Sequence, residues 1–133
     1  MSEQGFMHRR VQVEVTWLLA LSDSGMPEFK PFSTAARVFL RGLIDSFSAE
    51  DALSIKEIEK TTNHDVKAVE YWLKAQCQSA DLADALKSEL AASLEFIHFA
   101  CTSEDINNTS HALQLKSARA LVLLPGLQAV AFK

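Results

Sequence analysis

The sequence predicts an all-α protein organised as one helical domain. Three observations carry this prediction. Only four glycines and three prolines occur in 133 residues, so long stretches lack the residues that most disfavour a helix interior. Apolar side chains recur at helical spacing, as in the stripe of Phe39, Leu43 and Phe47. Several polar segments also show the Ser/Thr-x-x-Asp pattern that starts helices.

The N-terminal part is expected to contain a loose arm before the helical domain. Residues 1–8 are polar and weakly patterned, which predicts a flexible arm, and the helical domain is expected over residues 9–133. Over residues 9–21 the pattern is ambiguous, because three valines alternate as they would in a strand. The apolar run from Trp17 to Leu21 continues without alternation and favours a helix.

The rest of the chain predicts helices separated by loops. A Gly/Pro-rich loop spans residues 22–31, and Ser48 with Asp51 forms a capping-box pattern. Residues 79–88 predict an irregular linker or a short helix. Pro125 is expected to kink the last helix, because it removes one backbone donor. The expected helices after the loop are residues 32–47, 49–60, 64–78, 90–99 and 102–124.

Two short polar turns carry the candidate function. Thr62 precedes Asp65 by three residues, and Thr102 precedes Asp105 by the same spacing, so each pair predicts a capping box. A helix start presents backbone N–H groups with the positive end of the peptide dipoles behind them, which favours anions. Two such starts could together hold a small molecule with several negative charges. The alternative is that both are plain caps that bind nothing.

Composition narrows the possible partners and cofactors. A net charge of −4 gives no basic face of the kind that nucleic acid requires, and no apolar run reaches the ~18 residues of a membrane span. Cys77 and Cys101 form no C-x-x-C pair, and the four histidines lack metal-ligand spacing. Sparse glycine leaves no phosphate-cradling loop. We expect a cytoplasmic protein without a metal, a cofactor, a nucleic-acid partner or a membrane.

The two polar turns also carry a family resemblance. Thr62-Asn63-His64-Asp65-Val66 resembles the T-x-H-D-V motif of adenylosuccinate lyase, and Thr102-Ser103-Glu104-Asp105 resembles the T-S-x-D segment of the same family. The likeness covers residues 9–127, with the same order and separation. T-S-x-D alone recurs across the wider fumarase and aspartase superfamily, whereas the two motifs together are specific. The resemblance implies the helical N-terminal domain of that fold, without its central helical bundle and C-terminal domain.

This resemblance implies a C–N lyase of purine biosynthesis that releases fumarate from adenylosuccinate and from succinyl-carboxamide ribotide. It implies that Asn63, His64 and Asp65 contact this anionic nucleotide, with His64 touching phosphate or assisting the acid. Thr102 and Ser103 would hold a carboxylate through their hydroxyls and backbone amides. For His64, the simpler interpretation is an imidazole that only caps a helix.

The other histidines are weaker candidates. His98 lies four residues before Thr102 and could line the same cleft, but a histidine on an apolar helix is more often part of a hydrogen-bonded core. His8 lies in the expected arm and His111 inside the last helix, and neither is assigned a role.

Two segments of the family pattern have no counterpart in this sequence. One is the T-H-G-Q-P-A-type segment with the general-acid histidine, and the other is the G-S-S-x-M-P-x-K-x-N loop with the serine base. We therefore expect no catalytic residue in this chain and no lyase activity from it alone. The alternative function is a non-enzymatic helical interaction module derived from the lyase fold. In either case, uncovered apolar helix faces, above all in residues 106–130, predict self-association.

Overall fold

The computed structural model describes residues 2–132 and confirms the all-α fold; Met1 and Lys133 lie outside the described residues. Within residues 2–132 there is no β-strand. A 3₁₀ turn (Leu94–Phe96) follows α5, and a π-helical turn (Arg119–Leu123) joins α6 to α7. The helices are α1 (Glu3–Ser22), α2 (Thr34–Asp45), α3 (Ala49–Thr62), α4 (Asp65–Cys77), α5 (Asp84–Ala91), α6 (Ser103–Ala118) and α7 (Leu124–Ala131).

α1 is the central helix, and α2, α3, α4 and α6 all pack against it. Its side chains Val11, Val15 and Leu18 are buried, at the i, i+4, i+7 spacing of one helix face. α4 contributes Val69 and Trp72 to the same core. The helix predicted over residues 9–21 is confirmed, because the valines that alternate along the sequence lie within one continuous α-helix.

The expected flexible arm is wrong for residues 2–8. Ser2 caps α1, with its hydroxyl accepting a hydrogen bond from a first-turn N–H at 3.1 Å. Met7 is buried in the core, and the Phe6 ring stacks on His111 of α6 with centroids 4.2 Å apart. Met7 lines a shallow depression together with Ala52 of α3, and Phe6 contacts α6. Local sequence periodicity does not contain these long-range contacts.

The expected apolar helix over residues 90–99 is also wrong. α5 ends early in this range, and the chain continues through the 3₁₀ turn into an irregular segment. His98 (φ 63°) and Ala100 (φ 59°) have left-handed backbone conformations, which a right-handed helix excludes. Leu90 and Ile97 are nevertheless buried. The apolar run therefore indicated burial and not a continuous helix.

Elsewhere the helices lie close to their expected positions. Ser48 and Asp51 form the predicted capping box, with the Ser48 N–H donating to the Asp51 carboxylate at 2.8 Å and the Asp51 N–H donating to the Ser48 hydroxyl at 3.2 Å. The segment after α4 is a loop followed by the short helix α5, which combines the two alternatives left open for residues 79–88.

The last helix is interrupted near Pro125, where a kink was expected. Pro125 has no N–H to donate to a carbonyl of the preceding turn, and the π-helical turn ends two residues before it, at Leu123. No residue of this turn or of α7 is buried; Leu121 is 77% exposed and Phe132 is 87% exposed. A helix that is apolar on all sides is normally buried, so residues 119–132 present an unpartnered surface. No helix in residues 2–132 has the length and hydropathy to cross a membrane.

Candidate functional site

The first polar turn joins α3 to α4 and is not the expected capping box. Thr62 is the last residue of α3, and its hydroxyl donates to the His64 carbonyl at 3.1 Å. His64 is instead the N-cap of α4, because its Nδ1 accepts a hydrogen bond from the Lys67 N–H at 3.1 Å. Asn63 has a left-handed φ of 51°, a conformation that commonly ends helices. The capping box expected between Thr62 and Asp65 is therefore wrong, and the imidazole serves as the cap.

The second polar turn is the capping box that the sequence predicts. The Thr102 N–H donates to Asp105 Oδ2 at 2.8 Å, and the Asp105 N–H donates to Thr102 Oγ1 at 3.4 Å. The hydrogen bonds from the backbone and the hydroxyl of Thr102 hold the pKa of the Asp105 carboxyl below its usual value. The resulting carboxylate lies in the first turn of α6, where negative charge complements the helix dipole.

The two turns meet at one surface site. His64 Nε2 lies 3.3 Å from Ser103 Oγ, so the imidazole that caps α4 reaches the first residue of α6. The His64 side chain is 50% exposed and Ser103 is half-buried, which leaves both open to solvent. Asn63, Asp65 and Thr102 are the direct chain neighbours of this pair. All five residues predicted from the sequence therefore lie around a single site.

Arg10 of α1 connects the two turns from the interior. Its Nε–H donates to Asn107 Oδ1 of α6 at 2.9 Å, and its guanidinium is paired with Asp65 at the start of α4. Arg10 is buried and lies 4.2 Å from the centroid of the Phe6 ring. Partial burial opposes ionisation of Asp65, but the Val66 N–H and the positive charge of Arg10 outweigh it and lower the pKa. The sequence analysis did not select Arg10 as a site residue, although a charged residue directly before the apolar valines of α1 is a sign of a buried charge.

Glu14, one turn further along α1, contacts the segment that leads into the second polar turn. Its side chain is fully buried, and its Oε1 lies 2.6 Å from His98 Nδ1. Its Oε2 is buried without a hydrogen-bond partner among the described residues. Burial raises the pKa of Glu14, although the hydrogen bond to His98 acts in the opposite direction. Trp17 Nε1–H donates to the Phe99 carbonyl at 2.8 Å. His98 is thus a hydrogen-bonded histidine, as the commoner interpretation expects; Glu14 was not anticipated.

Comparison with known proteins assigns the chain to a family. The family model described as "Lyase" matches residues 1–131. The chain belongs to this lyase family. Among similar proteins, the adenylosuccinate lyases of Haemophilus influenzae, Escherichia coli K12 and Vibrio cholerae are 56%, 54% and 52% identical over 128, 125 and 130 residues. These matches cover 96%, 93% and 97% of this chain but 26%, 26% and 27% of the relatives. The chain therefore spans about a quarter of the length of the curated relatives it matches, and the predicted resemblance to their N-terminal part is confirmed.

In this member of the lyase family, the site around His64 and Ser103 is an open surface site. A groove of about 530 Å³ lies between α1 and α6, with Trp17, Cys101 and Leu113 in its lining, but neither His64 nor Ser103 lines it. Residues 2–132 contain no group of three or more His, Cys, Asp or Glu side chains arranged to hold a metal ion. The chemistry of the site therefore rests on its own donors and acceptors.

Hydrogen bonding is what these residues of the lyase domain can provide. The Ser103 hydroxyl, the His64 imidazole and the first backbone amides of α6 are suited to an anionic oxygen. The surrounding charge is less favourable, because Glu104 and Asp105 carry negative charge in the same turn. The nearest buried cation, Arg10, is already paired with Asp65. The arrangement can therefore orient an anion. Tight binding of a ligand with several negative charges would require further cationic groups near the site.

Proposed function

We propose that this chain is the part of an adenylosuccinate lyase that orients the charged groups of the substrate, with proton transfer supplied by segments outside these 133 residues. The reaction splits a C–N bond of adenylosuccinate or succinyl-carboxamide ribotide and releases fumarate, in purine biosynthesis. It requires a base, an acid and groups that stabilise a dianionic intermediate. Relatives with the name adenylosuccinate lyase, at 41 to 56% identity, support this assignment.

One observation carries the proposal, the 3.3 Å separation of His64 Nε2 and Ser103 Oγ where two helices begin. An imidazole, a hydroxyl and the first amides of α6 are then within reach of one bound group. Thr102 and Ser103 hold a carboxylate of the substrate. His64 touches the phosphate or assists the acid, and Asn63 and Asp65 complete the contact with the nucleotide.

The acidic surroundings of the site support a division of labour between this chain and the rest of the enzyme. A substrate with a phosphate and two carboxylates needs compensating positive charge, whereas Asp65 and Asp105 both have lowered pKa values and remain ionised near neutral pH. Cations and proton-transfer groups must then come from other segments or other subunits.

The two cysteines bear on the location of the protein. Cys77 and Cys101 are both free thiols, which supports a reducing cytoplasmic location.

A chimeric enzyme, called the graft below, tests the proposal. In it, residues 1–131 of this chain replace the aligned segment of the Haemophilus influenzae relative, and fumarate release from adenylosuccinate is measured. We expect an active graft, in which His64→Asn lowers kcat/KM by about 100-fold or more and Ser103→Ala lowers it by about 10- to 100-fold. Gln78→Ala, at the opposite end of α4, is the matched control and should have no effect. A fully active His64→Asn graft would contradict the proposed site.

The isolated 133-residue chain is expected to release no fumarate. Its candidate site contains donors for binding an anion, but the family's acid and base segments have no counterpart in the sequence. The check is an assay of the purified chain with adenylosuccinate at concentrations well above those the graft requires. Measurable turnover that copurifies with the chain would show that proton transfer does occur within it.

Self-association is the second part of the proposal. Leu121, Val122, Leu127 and Val130 are all exposed on the projecting C-terminal helix, and such apolar surface favours association between copies. Light scattering should show a mass that rises with concentration, and the double variant Leu121→Lys with Leu127→Lys should remain monomeric. A wild-type chain that is monomeric throughout, combined with an inactive graft, would instead favour the non-enzymatic interaction module.

A further inference from the structure

Three side chains of α1 reach the two polar turns, and they occupy one helix face. Arg10, Glu14 and Trp17 follow the i, i+4, i+7 spacing. Arg10 contacts the first turn of α4 and the body of α6. Glu14 and Trp17 contact His98 and Phe99, just before the second polar turn. The central helix therefore holds both halves of the candidate site.

The segment held by Glu14 and Trp17 has an unfavourable backbone conformation. His98 and Ala100 both have left-handed φ values, 63° and 59°, although each carries a Cβ that disfavours this region. Such residues persist only where the surroundings determine their conformation, and they cluster at functional sites. The segment ends directly before Thr102, so its conformation sets where α6 begins.

Burial of the Glu14 carboxyl group in the core is energetically unfavourable. Its side chain is fully buried, one carboxylate oxygen is bonded to His98, and the other has no partner among the described residues. A buried carboxylate destabilises a fold unless its interactions compensate. A leucine at this position would pack beside Val11 and Val15 without that cost. Among the described residues, His98 is the hydrogen-bonding partner of this carboxylate.

We propose that Glu14 is a positioning residue for the substrate-binding turn: through His98 it holds residues 98–100, and it thereby fixes Thr102 and Ser103 relative to His64. Glu14 touches no substrate in this arrangement. The His98 Nδ1–H donates to the Glu14 carboxylate, and the Trp17 indole fixes the next carbonyl. The importance of the turn for catalysis rests on the proposed function, whereas the positioning itself is a property of this chain.

Nuclear magnetic resonance of the ¹⁵N-labelled 133-residue chain tests the positioning. The His98 imidazole should carry a slowly exchanging proton on Nδ1. Glu14→Gln keeps an acceptor and should retain this signal, whereas Glu14→Leu removes the acceptor but keeps the site filled and should lose it. In Glu14→Leu we expect altered Cα shifts over residues 98–103 and faster amide exchange there, with little change in α3. Unaltered shifts over 98–103, or changes spread evenly over the domain, would overturn the proposal.

A second pair of variants keeps the test decisive if Glu14→Leu does not fold. His98→Gly and His98→Ala both remove the imidazole and leave Glu14 equally unpaired, but only glycine adopts a positive φ without strain. We expect both variants to alter the shifts of Thr102 and Ser103, and His98→Ala to alter them more than His98→Gly. Equal behaviour of the two variants would show that the clamped backbone is not what positions the turn.

The graft then separates this inference from the proposed function. If the turn binds substrate, Glu14→Leu in the graft should raise KM by about tenfold, while partial unfolding alone would lower kcat at constant KM. Glu14→Gln should restore most of the affinity. An inactive wild-type graft would refute the proposed function, and the spectra of the isolated chain would still decide whether Glu14 positions the turn. Lowered kcat at unchanged KM in an active graft would overturn its role in binding.

Discussion

The starts of α4 and α6 contain the same Thr-x-x-Asp pattern and form different structures. At α6, Thr102 and Asp105 exchange hydrogen bonds in a capping box. At α4, the helix begins three residues after Thr62, so Asp65 falls in the first position of the helix and is paired with Arg10. His64 then serves as the cap. The difference shows that a buried cation on another helix can take over a carboxylate that local pattern assigns to a cap.

Removal of Arg10 is expected to cause the largest loss of stability. In Arg10→Leu, Asp65 and Asn107 both lose the partner that connects α4 with α6. We expect a loss of about 2 kcal/mol in unfolding free energy, because the lost hydrogen bonds involve a charged donor while the remaining Asp65 carboxylate is partly solvated. Urea unfolding followed by circular dichroism measures it. Arg41→Leu, at an exposed position of α2, is the control, with an expected change below about 0.5 kcal/mol. Equal losses in the two variants would mean that the interactions of Arg10 with Asp65 and Asn107 contribute no special stability.

Removing the two threonines should distinguish the turns directly. Thr102→Ala deletes the acceptor for the Asp105 N–H and one donor to its carboxylate, so we expect a loss of about 1 kcal/mol. Thr62→Ala deletes the hydroxyl that donates to the His64 carbonyl at 3.1 Å and accepts from the His64 N–H at 3.4 Å, without a side-chain carboxylate as partner. We expect a loss of less than about 0.5 kcal/mol. Thermal unfolding of both variants provides the comparison. The reverse order would indicate that Thr62 is the more important cap.

Acid should weaken the α6 cap. The pKa of Asp105 is lower in the folded chain than its ordinary value, so the unfolded chain takes up this proton first as the pH falls. The stabilisation is present above the unfolded pKa of about 3.9 and is lost as the pH falls through the folded value. Asp105→Asn should therefore be less stable than the wild type at pH 6, and the difference should shrink toward pH 3. A difference independent of pH would contradict this linkage.

The smallest change in stability is expected at His64. Asparagine is among the best N-caps, so His64→Asn should alter the unfolding free energy by less than about 0.5 kcal/mol. The same variant should nevertheless lower kcat/KM of the graft by about 100-fold or more, because asparagine cannot replace the imidazole that faces Ser103. Stability and activity measured on one variant thus separate the cap from the proposed site. A large loss of stability would show that the cap depends on a property specific to the imidazole.

Local pattern was sufficient wherever one segment contains its own partners. The capping boxes at Ser48 and Thr102 are formed by side chains three residues apart. The five candidate site residues stay a prediction, drawn from the resemblance of two short motifs to a family. Pattern failed where partners lie far apart in sequence. Phe6 stacks on a ring of α6, and His98 bonds to a glutamate 84 residues away. Neither contact produces a periodicity within its own segment.

The amino-acid sequence by itself determined the helical class, the approximate helices and the two polar turns that later proved to be neighbours, because these depend on propensity, spacing and short motifs. Only the tertiary structure decided that α1 is the central helix and that its Arg10 and Glu14 contact Asp65 and His98 from the interior. The physical reason is the low polarity of the core. A buried charge must find its partner there, and the partner is chosen by which helices pack together, not by which residues are adjacent in the chain.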